Sequence, residues 1–334
     1  MVKITDVARH AGVSPSTVSY VLSGKRSISA ATRQRVEDSI RELGYRPHAP
    51  ARSLASSRSN VLALVMPLRA GIHMPVQMQF AASVATAARG YDHDVLLLTE
   101  EEGEDGLRRV AGSALADGLI VMDIQMQDPR LPLLRSLRPP AVLIGFPAEA
   151  DGLTCIDLDF TATGEICVDH LARLGHRCVA LLGSPPEVYA RGTGFARRTA
   201  AGFTAAARRR GMASTVVPVA PGEAAARETA ERLLRRHPGL SAVVVHNESA
   251  LGPLLEAFQR AGMRVPEDLS VVAVCPDETA GSMAVPVSSV AIPAAEVGER
   301  SVELLMAQLA GRTVPDATLL PPRLTARAST APHP

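Results

Sequence analysis

The chain has 334 residues, of which 46% are apolar and 21% charged, and a formal net charge of +1. Such a chain can bury a large core beside a small module, and its composition excludes disordered, collagen-like and disulfide-stapled classes. The longest apolar runs, such as VLALVMPL, fall short of the ~18 residues of a membrane helix, and the N-terminus shows no secretory apolar segment; a cytoplasmic protein with no membrane partner is expected.

Residues 4–54 carry three helical patterns. Thr5 is placed to cap the first, and Gly12 ends it. Ser14 offers a second N-cap, with Pro15 at the first helical position, where a missing N–H does no harm. That helix runs Ser16 to Leu22 with Val18, Val21 and Leu22 inward, and Gly24 stops it. Ser29 caps a third helix, Ala30 to Leu43, and Gly44 suits its C′ position. Two short helices joined by a Gly-containing turn form a helix-turn-helix, with small polar residues where base edges would be read. Residues 1–60 hold ten Lys/Arg and four Asp/Glu, so this end carries +6 and the remainder about −5. That asymmetry points to nucleic acid; the bland alternative is a small bundle with solvated charges.

Residues 46–60, RPHAPARSLASSRSN, read as a flexible linker with one apolar side chain, Leu54. From Val61 onward, short apolar runs alternate with helical segments. The strand candidates are 61–66, 94–99, 117–122 and 141–145, then 179–183, 215–219, 241–247, 270–274 and 288–292, with a last strand near 317–325. Helices are expected at Phe80–Arg89, up to Leu115, near 129–138, and at 162–174, 196–210, 223–236, 249–261 and 294–309. Alternation of this kind predicts parallel α/β sheets. Two successive doubly wound sets predict two lobes with a ligand cleft at the carboxyl ends of the strands.

No enzyme motif is present, neither a P-loop nor G-x-S-x-G nor H-E-x-x-H. The His residues are scattered, and Cys155, Cys167, Cys178 and Cys275 lack metal-like spacing, so no metal or cofactor is expected. Asp157 and Asp159, at i,i+2 near a strand end, read as capping or lobe-crossing groups. Arg208, Arg209 and Arg210 close a helix, where cations favour the dipole.

The runs DVARHAGVSPSTVS, SAATRQRVEDSIRELGYRP and ARSLASSRSN resemble the headpiece of the LacI/GalR family of bacterial transcription regulators. DHLARLGHR (169–177), ALLGSP (180–185), NESALG (247–252) and VPEDLSVV (265–272) extend the resemblance over nearly the whole chain. It implies an all-α helix-turn-helix headpiece at 1–46, a hinge helix or linker at 47–59, and an effector-binding, dimerising core at 60–330 of the type I periplasmic-binding-protein fold. The N-lobe would span about 60–160 and 292–318, the C-lobe about 161–290 and 320–330, with crossings near 160, 290 and 320. By the same resemblance a homodimer binds pseudo-palindromic double-stranded operator DNA. Its contacts come from Thr5, Ser14, Pro15, Ser16, Thr17, Ser19, Tyr20, Ser23, Thr32, Arg33, Tyr45 and His48, and Leu54 acts as a minor-groove wedge. Tyr20 replaces an arginine common in the family, His48 departs from the usual asparagine, and Pro50 is uncommon in a hinge helix.

The core departs from the family where effectors are usually held. An Arg commonly three residues before the Gly-Phe pair is here Thr199; an Asp before x-x-Ala-Leu-Gly is Asn247; a polar position after the fourth N-lobe strand is Gly145. Neutral groups replace a charged pair that would grip vicinal hydroxyls or a carboxylate. The loop 184–197 is longer than in the commonest members, and Tyr189, Arg191 or Phe195 could line the cleft. The candidate effector contacts are His73, Asp123, Tyr189, Arg191, Thr199 and Asn247, for an effector of unidentified chemistry. The resulting expectation is a sequence-specific, effector-modulated regulator, repression being the family's common mode. The alternatives are a regulator whose degenerate cleft answers to no effector and a small-molecule binding protein without a regulatory role.

Overall fold

The computed structural model of the chain describes residues 2–23, 26–45, 58–69, 73–99, 103–113 and 115–333. At the N-terminal end α1 (Ile4–Ala11), α2 (Pro15–Ser23) and α3 (Ala30–Leu43) close on a small core of Val7, Ala8, Val18, Val21, Val36 and Tyr45. Gly12 and Gly44 both adopt the left-handed conformation that ends α1 and α3, a geometry that penalises any Cβ. The Ser14 and Ser29 hydroxyls accept from the backbone N–H groups of Thr17 and Thr32. Two expectations fail locally. Thr5 is not the cap: α1 begins at Ile4, and the Asp6 carboxylate accepts from the Lys3 N–H at 2.9 Å. Leu22 is 37% exposed, at the edge of the buried stripe, about 40° round the helix from Val18 and about 100° from Val21.

The remainder builds two six-stranded sheets. The first contains β1 (Val61–Val65), β2 (Asp94–Leu98), β3 (Gly118–Val121), β4 (Ala141–Ile144) and β5 (Thr154–Leu158). The second contains β6 (Cys178–Gly183), β7 (Ala213–Pro218), β8 (Ala242–Val245), β9 (Ser270–Val274) and β10 (Ser288–Val290). The last two strands, β11 (Ala317–Leu320) and β12 (Leu324–Thr325), complete the first and second sheets respectively. The orders are β11-β5-β4-β3-β1-β2 and β12-β10-β9-β8-β6-β7, parallel throughout except for the antiparallel β10–β12 pair. Inner strands such as β3, β4 and β9 are buried along their whole length, as sheets covered on both faces require.

The expected last strand, 317–325, is therefore two strands in two lobes, split at Pro321-Pro322, where neither residue has an N–H for a ladder. β5 has no apolar run of its own, and only the strand end expected near Asp157 and Asp159 pointed to it. Its sequence, TCIDL, breaks the apolar run although every residue is buried. The helix expected from Phe80 begins at Met74, and short helices at Pro186–Ala190 and Asp277–Gly281 had no periodic signal. The crossings fall where expected: after β5, between β10 and the helix Ala294–Leu309, and between β11 and β12. In the C-lobe the helices Phe160–Arg173 and Gly194–Arg209 touch backbone to backbone. A Cβ on Gly164 would collide with the Thr199 carbonyl oxygen, and one on Gly202 with the Thr161 carbonyl oxygen. Among the described residues no helix is long and apolar enough to cross a membrane.

Candidate DNA interface and candidate ligand cleft

Hydroxyls gather at the start of α2. Ser14 Oγ lies 2.8 Å from Ser16 Oγ and 2.9 Å from Thr17 Oγ1, on an exposed turn that opens with Pro15. Such groups can donate or accept, which suits base edges and phosphates alike. Ser19 and Tyr20 are half-buried on the same short helix, and the Arg26 guanidinium sits over the Tyr20 ring, 5.5 Å from its centroid. Thr5 and Arg33 are exposed, and Thr32 is tied to Ser29 through its hydroxyl at 2.9 Å. Tyr45 is only 6% exposed and packs in the headpiece core, so its position serves folding of the module. His48, Pro50 and Leu54 lie outside the described residues, as does the side chain of Ser23.

The second site lies between the lobes, at the carboxyl ends of both sheets, where a cavity of about 100 Å³ is enclosed. From the N-lobe, Asp123 follows β3, Gly145 follows β4 and Asp157 lies on β5, while His73 and Gln77 come from the start of the helix Met74–Arg89. From the C-lobe, Ser184 follows β6, and His246, Asn247 and Glu248 follow β8. The aromatic wall is continuous. The Phe160 ring stacks on His246 at 5.6 Å, Phe195 meets His246 edge-on at 5.6 Å, and the two phenyl rings lie 5.7 Å apart. Gly145 holds a positive φ of 126°, and a Cβ there would come within 2.8 Å of Ile124 Cβ, so a polar side chain at this place is sterically barred.

Burial dominates the electrostatics. It pushes the Asp157 carboxyl up to about 8, against the opposing Leu158 N–H and the Arg198 charge. It pushes Glu248 up to about 7, and holds the His246 imidazole down at about 4 and that of His73 below its usual value. Asp123 sits at φ 55° and binds Arg69 at 2.9 Å through Oδ2, with its side chain 2% exposed.

A strap joins the lobes beside the cavity. Its residues 192–194 pair with N-lobe residues 124–126: Gly194 N–H donates to Ile124 O at 2.9 Å and Met126 N–H to Gly192 O at 2.8 Å, framing the antiparallel bridge Gln125–Thr193. Arg198, one turn further on, donates to Pro147 O at 2.8 Å and Phe146 O at 3.3 Å in the opposite lobe. The receiving loop is stiffened from behind by the buried Arg130–Asp128 pair, 2.6 Å apart, whose guanidinium also holds Met122 O and Asp123 O.

Residues 3–48 match the family described as bacterial regulatory proteins, lacI family, and residues 168–330 match a periplasmic binding protein-like domain. The chain is 30% identical to the HTH-type transcriptional regulator GntR of Pseudomonas aeruginosa, over 95% of this chain and 92% of that one. This protein belongs to the LacI family. The HTH-type transcriptional regulator CelR of Thermobifida fusca is also 30% identical, over 94% of both chains. Among solved structures, the lac repressor dimer bound to operator and the anti-inducer ONPF is similar at a TM-score of 0.82 and 25% identity, covering 99% of each chain. The transcriptional regulator CelR–cellobiose complex is similar at 0.70 and 25% identity, covering 98% of this chain and 100% of that one. The expected fold, a LacI headpiece with a two-lobed periplasmic-binding-protein-like core, is the observed one.

Of the LacI-family positions expected to meet an effector, the structure brings His73, Asp123 and Asn247 to the cavity. Thr199 is not among its walls: it is fully buried, and its hydroxyl donates to Phe195 O on its own helix at 2.9 Å. Tyr189 turns away, its ring filling the space beside Gly183, and burial pushes its hydroxyl up to about 12. Arg191 lies at the end of the short helix Pro186–Ala190, outside the cavity walls. Asn247 is at the cavity, yet its amide donates to Val219 O at 2.9 Å and accepts from Ser249 at 2.8 Å, so it braces the wall. Sequence reasoning missed His246 and Glu248 as site groups and read Asp157 as a cap or crossing contact. The available signal was the pair His246-Asn247 at a strand end, where ligands gather. The triple arginine behaves structurally, as expected: Arg209 pairs with Glu165 at 3.1 Å and Arg210 with Asp169 at 2.9 Å.

Proposed function

We propose that this LacI-family regulator binds pseudo-palindromic operator DNA as a homodimer through α2 and is modulated by a small molecule held between its lobes, with repression as its mode. The domain division 1–46, 47–59 and 60–330 belongs to the same reading. The observation that carries it is the union, on one chain, of a basic helix-turn-helix and a strap-bridged cleft. Relatives support it: a lac repressor dimer bound to operator, and CelR with cellobiose.

Within the headpiece, Pro15, Ser16 and Tyr20 select bases, while Arg33 serves the phosphates. Arg takes guanine bidentately, whereas Tyr offers one hydroxyl and a ring face for a thymine methyl. Tyr20→Arg therefore shifts the half-site consensus in a DNA selection experiment, and Arg33→Ala weakens all sites alike. An unchanged consensus for Tyr20→Arg removes the assignment. Leu54 is the proposed wedge, and Leu54→Ala then lowers the bend angle in a permutation assay while head and core stay folded.

Control follows from differential binding. A ligand that favours one lobe arrangement shifts the spacing of the paired hinge segments, and a coupling of ~1–3 kcal/mol changes operator affinity by about 5–150-fold. The strap is the element through which the two arrangements differ: its backbone bonds exist only when the lobes meet. Operator titrations with Arg198→Ala, which removes its side-chain bonds, test this; operator affinity and metabolite response both equal to wild type would refute it.

A further inference from the structure

We infer that the inter-lobe cavity is built for a small organic cation, a ligand carrying a protonated amine. The inference rests on the reading of this cleft as the effector site and names the chemistry of its occupant.

His246 supplies the first observation. It is 2% exposed, it lines the cavity, and its Nδ1 has no hydrogen-bond partner. Asp123 Oδ1 and Gln77 Oε1 are likewise buried without partners and belong to walls of the same cavity. The two oxygens accept only, and a neutral imidazole protonated on Nε2 accepts at Nδ1. A buried acceptor left unsatisfied costs about 1–3 kcal/mol, so the ligand that settles here brings donors.

Charge narrows the class. Asp123, Asp157 and Glu248 contribute carboxyl groups to the cavity, and among the described residues no Lys or Arg lines it. Arg69 pairs with Asp123, and Arg198 acts on Asp157 while bonded to carbonyls 146 and 147. Asp159 adds repulsion at Asp157, and Cys275 is the thiol whose ionisation Glu248 opposes, with Asp277 and Arg327 also acting on it. Neither arginine near the site offers a cationic head to a carboxylate or phosphate ligand inside the cavity. An anion would meet three carboxyl groups and only neutral donors such as Ser184 and Gln77, with no cationic side chain among the described lining residues. An ammonium group meets acceptors, carboxyl groups that can ionise beside it, and the rings of Phe160 and Phe195, a setting in which cations are held. A metal ion is a poorer fit, because among the described residues no three His, Cys, Asp or Glu side chains converge to hold one. A cavity of about 100 Å³ has room for several water molecules, hence for one compact molecule.

The raised Asp157 and Glu248 carboxyls accord with this reading: acids crowded into a desolvated space retain protons until a cation offsets their charge. When an ammonium group enters, a carboxyl gives its proton to the buffer and the pair becomes ammonium–carboxylate. Binding of an amine then releases protons, whereas a neutral sugar leaves the carboxyls as they are.

The test is calorimetry on the full-length protein near neutral pH with two matched series: glucosamine, glucose and gluconate, then 1,4-diaminobutane, butane-1,4-diol and succinate. The expected result is that an amine binds at least about tenfold tighter than both of its matched partners, with a heat that changes with buffer ionisation enthalpy. Glu248→Gln should remove that preference and the proton release together; if it fails to fold, Asp157→Asn serves instead. Equal or tighter binding of a neutral or anionic member overturns the cation inference but leaves the cleft as a ligand site. If no member binds at millimolar concentration and none alters operator affinity, the inference falls and the effector reading falls with it.

Discussion

The two lobes share one winding, with a central first strand flanked by its second and third, yet they bring different materials to the cleft. The N-lobe contributes acids, and fixes them with ion pairs and a positive-φ aspartate behind β3. The C-lobe contributes the Phe160 and Phe195 rings, on helices packed backbone to backbone, with a neutral histidine and a single acid, Glu248, after β8. Their tolerance to change should differ accordingly. Where side chains set the packing a neighbour can turn aside; where backbone meets backbone nothing can.

The sharpest break in that comparison is a matched pair of glycine substitutions. Gly202→Val drives a branched side chain into the Thr161 carbonyl, whereas for Gly118→Val the nearest obstacle to a Cβ is the Leu305 side chain, at 2.8 Å. The C-lobe variant should lose ~3 kcal/mol or more, or fail to fold, while the N-lobe variant loses roughly 1–3 kcal/mol by overpacking. Urea titration of both variants measures the difference, and equal losses would show that the lobes are built alike.

Next in size is the contact that joins them. Arg198→Ala removes two charge-assisted hydrogen bonds from C-lobe helix to N-lobe carbonyls, about 1–3 kcal/mol in stability. It also takes away the cation that lowers Asp157, so that carboxyl should move further up. Amide exchange at Gly194 and Met126, whose N–H groups cross the same interface, should accelerate with little change in the sheet interiors.

A pH series separates the carboxyls from the imidazoles by sign. Asp157 in the N-lobe and Glu248 in the C-lobe have folded values raised to about 8 and about 7, so each favours the folded state most at low pH and loses that contribution as pH rises through its folded value. His246 and His176 are lowered to about 4, so their contribution is complete above the ordinary imidazole range and is lost as pH falls towards 4. Between about pH 6.5 and 8 only the carboxyls act, and stability should decline. Asp157→Asn should flatten that limb of a thermal-unfolding profile and, because an unfolded aspartate titrates at about 4, steepen the loss that the histidines cause as pH falls below about 6.5.

The smallest effect concerns the residue that family likeness placed in the cleft. Thr199→Val deletes one intrahelical hydroxyl bond, about 1 kcal/mol, and should leave ligand response intact. A ligand response abolished by this change would return Thr199 to the site.

The headpiece was legible because its signals are local. Ser14, Pro15, Ser29 and Gly44 act within a few residues of where they stand, and each does what its type predicts. The parallel α/β class was legible for a similar reason, since apolar runs and helices alternate. β5 was legible only as a strand end near Asp157 and Asp159, because TCIDL is buried by its neighbours β4 and β11 and not by any periodicity of its own. The cleft was read in part. Asp123 and Asn247 stand at strand ends, where topology alone puts ligands. Thr199 was misplaced because the Gly-Phe landmark gives a helix position but not which neighbour that face meets. His246 becomes a site residue only when Phe160 and Phe195, 86 and 51 positions away in the sequence, close around it.

The close crossing of the helices Phe160–Arg173 and Gly194–Arg209 has a thermal consequence. Phe160 opens one helix and Phe195 lies in the first turn of the other, so the crossing fixes both rings before any ligand arrives. An arriving molecule therefore does not have to freeze that wall. Of the roughly 0.5–1.5 kcal/mol that each newly immobilised side chain would subtract from affinity, the two phenyl rings subtract little. Binding should accordingly show a small conformational-entropy penalty on the C-lobe side, with most of the ordering confined to the strap and to the ligand itself.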